Sequence, residues 1–76
     1  MITPTIDAQF IATLRAVEGR EWQASCKVIM DHLSYVEVEP IGTSLFSSEF
    51  EARKWAHGQA AVRGFKELTV KKISAP

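Results

Sequence analysis

Cysteine occurs once in this chain of 76 residues, at Cys26. A single thiol excludes a disulfide within the chain and suits a reducing compartment. The sequence has no C-x-x-C or H-x-x-x-H pair, and its two histidines, His32 and His57, are 25 positions apart, so a zinc site is not expected. It has no Gly-rich phosphate loop and no G-x-S-x-G turn, and it offers no complete catalytic set. No apolar run approaches the ~20 residues of a membrane span. The opening stretch MITPTIDAQF lacks the basic and continuous apolar regions of a secretory signal. These absences lead us to expect a cytoplasmic, non-enzymatic domain without metal, cofactor or membrane contact, of a stand-alone bacterial type.

An excess of either charge is also missing, since nine basic and nine acidic side chains cancel. Their distribution is uneven. Residues 1–46 carry three basic and six acidic groups, and residues 47–76 carry six and three. The halves can attract one another in the fold, or the second half can form a basic face.

What is present reads as a folded chain, 46% hydrophobic and 24% charged. Its length fits one domain over 1–76, with residues 1–4 and 74–76 expected to fray. Ile6, Phe10, Leu14 and Val17 recur at helical spacing behind Thr5, a candidate cap, and before Gly19, a candidate left-handed stop. The pattern predicts a first helix. EWQASCKVIM then alternates, with Trp22, Ala24, Cys26, Val28 and Met30 on one face. After a turn at DHLS, YVEVEPI resumes the alternation, with Val36 and Val38 expected inward and Glu37 and Glu39 outward. Pro40 cannot donate a ladder hydrogen bond and belongs at an edge or a strand end. GTSLF is placed to extend that strand.

Ser48 and Glu51 have capping-box spacing and open a second helix, with Ala52, Trp55, Ala56, Gln59 and Val62 expected on its buried face. Gly64 ends it, and KELTVKKI supplies a last strand. The order is therefore α-β-β-α-β. It implies a small α+β two-layer sandwich, a three-stranded, mostly antiparallel sheet with two helices on one face and the EWQASCKVIM strand at its centre.

Few residues suggest chemistry. Cys26 alternates with Ala24 and Val28 and is expected in the core, not as a nucleophile. Glu37 and Glu39 are expected on a wet strand face, which is not a setting that assigns two carboxylates separate acid and base roles. Gly58 lies inside a helix, at a cost of about 0.5–1 kcal/mol against alanine, and close packing against another backbone is its expected reason.

The second helix carries a second face. Phe50, Arg53, Lys54, His57 and Ala61 lie roughly opposite Trp55, with Arg63 beyond them. The first helix could cover Phe50 with Phe10 and Leu14. Alternatively, Phe50 is an aromatic anchor for a protein partner or a second copy of the chain. The alternative function is nucleic-acid binding, in which the same basic face meets phosphates with help from Lys66, Lys71 and Lys72. An overall pI of 6.7 and the acidic Glu49 and Glu51 at the start of the helix weigh against that reading. A binding domain acting through protein–protein contacts is the function this pattern favours.

Overall fold

In a computed structural model describing residues 5–73, the chain forms one α-helix and four strands. In order these are β1 (Thr5–Val17), β2 (Glu21–His32), β3 (Val36–Phe46), α1 (Glu49–Val62) and β4 (Thr69–Ile73). They build one mixed sheet in the order β3-β2-β1-β4, antiparallel between β1, β2 and β3 and parallel between β1 and β4. The expected three-stranded sheet with two helices is therefore overturned. The first segment is a strand. Residues 1–4 and 74–76, where fraying is expected, lie outside the described residues.

The reason lies in the arithmetic of the pattern. A spacing of four satisfies a helix, but it also satisfies a period of two. Along β1, Phe10, Ala12 and Leu14 are buried on the side toward α1, while Thr13, Arg15 and the also buried Ile11 occupy the other. Ala12, between Phe10 and Leu14, supplies the missing alternate position. Gly19 does adopt the left-handed conformation, at φ 78°, but in the 3-10 turn (Glu18–Arg20) that joins β1 to β2.

β2 is an interior strand, and β3, which carries Pro40, lies at the edge. One residue alters the faces of β3. Cys26 pairs with Gly42 and Lys27 with Pro40, so Ile41 is the extra residue of a bulge. Ile41 packs against the core. Past it the alternation is inverted. Glu37 and Glu39 therefore lie on the helix side, and Val36 and Val38 on the other, 60% and 54% exposed. The opposite was expected, because an unbroken alternation has no place for the bulge.

The core lies between α1 and one sheet face. Among the described residues, Phe10 and Leu14 are the large, fully buried side chains, each worth about 1.5–3 kcal/mol of hydrophobic burial. Above them α1 presents Ala52, Ala56 and Ala60, all buried, at i, i+4 and i+8. Small side chains let the helix axis approach the sheet. The inward side of α1 is thus centred on the alanines, not on Trp55. Trp55 is half-buried at one flank, and Val62, expected inside, is 84% exposed.

The C-terminal stop of α1 forms as its sequence implies, and of the expected capping box the Ser48 half forms while Glu51 turns to a hydroxyl. The Ser48 hydroxyl accepts from the Glu51 amide at 3.1 Å, while the Glu51 carboxylate accepts from Ser47 at 2.8 Å. At the other end Gly64, at φ 83°, allows the Phe65 amide to donate to Ala60 and the Gly64 amide to donate to Ala61. This turn delivers the Phe65 ring to Phe10, with centroids 5.5 Å apart.

Candidate functional site

With no first helix to cover it, the outward side of α1 is open. Phe50 is 75% exposed, and Lys54, His57 and Ala61 are exposed along the same side. The expectation that Phe10 and Leu14 cover Phe50 fails. Both sit under the alanine side of α1.

The candidate basic groups are not equally available. Arg53 donates to Glu49 at 3.0 Å, and Lys72 reaches the same carboxylate at 2.7 Å from β4. These two cations hold the Glu49 carboxyl below its ordinary range, Lys72 having the larger effect. Lys72 also lies 5.4 Å from the Trp22 ring centroid. Arg63 folds back on its own helix, donating to the Gln59 carbonyl and side-chain oxygens at 3.1 and 2.9 Å. Phe50, Arg53, Lys54 and His57 together line a hollow of about 360 Å³. Arg63 is not part of that lining.

A larger groove, about 590 Å³, runs along the flank of α1 facing β3. Phe46 of β3 and Trp55 are the aromatic groups lining it, with ring centroids 5.5 Å apart. Lys54, Gly58 and Val62 line it as well. Lys54 also borders the Phe50 hollow, so the two depressions adjoin. A Cβ placed on Gly58 would meet nothing within 4 Å. The expected reason for this glycine, close internal packing, is therefore absent, and its missing side chain instead leaves the groove deeper.

Sequence reasoning missed this groove because it placed Val62 inside. The signal was present in the alanines at positions 52, 56 and 60, which mark the buried stripe more faithfully than the one large ring.

The sheet has a second face, which α1 does not cover. On it, in register, lie Lys71, Thr13, Ser25 and Thr43, with Arg15 and Gln23 to one side and Ile11 and Lys27 to the other. The Ser25 and Thr43 hydroxyls are hydrogen-bonded across strands at 3.1 Å. Beside the bulge, Thr13, Lys27 and Pro40 border a shallow depression of about 240 Å³. Among the described residues no carboxylate lies within ion-pair distance of Arg15, Lys27 or Lys71.

Two other chemically capable side chains are buried. Cys26 is buried, and burial pushes its thiol pKa up, with the Arg63 charge opposing this only partly. His32, expected in a turn, is the last residue of β2. Its ring is buried, stacked on Tyr35 at 4.4 Å, with Nε2 3.2 Å from a Glu37 oxygen. Nδ1 has no partner among the described residues. No group of three His, Cys, Asp or Glu side chains among them is placed to hold a metal ion, and no helix there is long and apolar enough to cross a membrane. No protein-family model, curated protein or solved structure matches the chain.

Proposed function

We propose that this chain is a binding domain acting through protein–protein contacts, and that α1 and its groove against β3 form the docking surface. The observation that carries the reading is Gly58. A mid-helix glycine costs about 0.5–1 kcal/mol against alanine, and here no neighbouring atom requires it. It lines an apolar groove together with the Phe46 and Trp55 rings and the exposed Val62. Exposed aromatic anchors next to preformed hollows are the usual energetic centres of protein interfaces. A photo-crosslinking residue at position 62 should capture a partner in cells. The same residue at position 43, on the far face of the sheet, should not. Phe50→Ala and Lys54→Glu should keep the circular dichroism spectrum and reduce capture. Equal capture from both positions, or none from position 62, would sink the reading.

One observation supports nucleic-acid binding as a second reading. It comes from the open sheet face, where Arg15, Lys27 and Lys71 stand among hydroxyls without paired carboxylates among the described residues. On α1, by contrast, Arg53 and Arg63 are already engaged. The described open face holds no aromatic ring on which a single-stranded base could stack, so a duplex backbone is the ligand it suits. Three phosphate contacts would give a log–log salt slope of about −2.7 with duplex DNA. Fluorescence anisotropy that shows no duplex binding at low salt removes this reading.

A further inference from the structure

We infer that the open face of the sheet carries a binding site for the phosphoryl group of a small phosphomonoester, set in the depression beside the bulge of β3. The site is separate from the α1 groove. It shares its face, though not its ligand, with the nucleic-acid reading above. Three hydroxyl residues stand in one row across it. Thr13 pairs with Ser25 and Ser25 with Thr43, so neighbours in the row lie about 5 Å apart, strand to strand. Lys27 follows Ser25 by two residues on the same face, about 7 Å along β2. All four line the depression of about 240 Å³. Gly42, beside the bulge, lines it too and adds no side chain to fill it.

The donors in this row are not used up by the fold. The Lys27 ammonium and the Thr13 hydroxyl make no hydrogen bond with any described residue. The bond between Ser25 and Thr43 uses one hydroxyl hydrogen and leaves the other free to donate. Three separate donors, one of them cationic, therefore border one space.

Charge selects an anion for that space. Lys71 is the partner of Thr13 on β4, and Arg15 lies two residues along β1, so two further cations flank the row. Among the described residues no carboxylate lies within ion-pair distance of the three cations. On β2 the acidic positions of this face, Glu21 and Asp31, are four residues beyond Ser25 and Lys27, about 13 Å along the strand. Glu39, next to Pro40, lies on the helix side. A phosphomonoester at neutral pH carries about −1.5 to −2 charge and three strong acceptor oxygens. It matches the three donors and gives the flanking cations a second charge to meet. A phosphodiester has a single charge and two free oxygens, and would leave one donor of the row unused. The depression is smaller than the ~300–1,000 Å³ of sites for drug-sized ligands, so it takes the phosphoryl group and a short part of its carrier.

Amide NMR titrations of the full chain with methyl phosphate and with dimethyl phosphate, at constant ionic strength, test the inference. Methyl phosphate should bind saturably, with a Kd on the order of 1 mM, and its shifts should centre on Thr13, Ser25, Lys27, Gly42 and Thr43. Dimethyl phosphate should bind about tenfold more weakly or worse, because it lacks the second charge and the third oxygen. Lys27→Gln should weaken methyl phosphate by about tenfold and Thr13→Val by about threefold, both with an unchanged circular dichroism spectrum. No saturable shift up to about 20 mM methyl phosphate overturns the inference. So does equal binding of the two esters, a set of shifts centred elsewhere, or an affinity indifferent to both substitutions. If methyl phosphate fails while duplex DNA binds this face at low salt, the monoester site falls and the nucleic-acid reading stands. If methyl phosphate binds as expected and no duplex does, the site stands and the nucleic-acid reading falls.

Discussion

The two faces of the sheet are built from alternate residues of the same strands, yet they are under different physical constraints. Leu14 and Thr13 are neighbours in β1. Leu14 is sealed beneath α1 beside Ala24 and Ala52, whereas Thr13 looks away from the helix between Ser25 and Lys71. One face is determined by packing and tolerates little change. The other is not covered by α1, and there hydroxyls and charges share the surface with Ile11, only 6% exposed, and with the exposed Val36, Val38, Leu45 and Ile73. α1 repeats the contrast around its own axis, with alanines inward and Phe50, Gly58 and Val62 outward.

The largest expected effect breaks the packed side. Leu14→Ala should cost about 2–5 kcal/mol, against a typical total stability of about 5–15 kcal/mol. Thr13→Ala should change stability by less than about 0.5 kcal/mol. Urea midpoints of the two variants measure the difference, and equal losses would contradict the assignment of faces. Next, Ala56→Leu should cost about 1–3 kcal/mol by forcing α1 off the sheet. A neutral result would mean that the helix does not sit as closely as its alanines indicate.

On the outward side the sign reverses. Gly58→Ala should stabilise the chain by about 0.5–1 kcal/mol, seen as a higher melting temperature, because its methyl group meets open space. Destabilisation would show that the glycine serves the fold after all. The smallest effect concerns Glu49, held ionised by Lys72 and Arg53. Its folded pKa is depressed, so its contribution is present above the ordinary carboxylate value, about 4.3, and is lost as pH falls through the lower folded value. Glu49→Gln should therefore narrow the stability gap between neutral and acidic solution. An unchanged acid profile would mean that the pair is too solvated to matter.

The error at β1 and the error at Val62 have one source. Ile6, Phe10 and Leu14 fit two periods at once, and sequence alone offers no reason to prefer the strand. The preference comes from β2 and β4, whose edges β1 occupies on both sides. Likewise, Trp55 suggests a buried face by its size, but the close approach of α1 leaves room only for alanines. Within the candidate surface, Phe50, Lys54 and His57 were legible as one outward group. Phe46 was not, because it joins them only through the pairing of β3 with β2, which sets its phase after the bulge.

Local chemistry was enough for the sequence to determine the cap at Ser48, the stop at Gly64 and the alternation of β2. Each depends on residues a few positions apart and on backbone preferences that no distant partner needs to supply. The tertiary structure alone decided that β1 is a strand, that Ile41 inverts the faces of β3, and that one side of α1 stays open. Those outcomes depend on pairing and packing between segments far apart in the chain, where competing local patterns are separated only by the partner that each one meets.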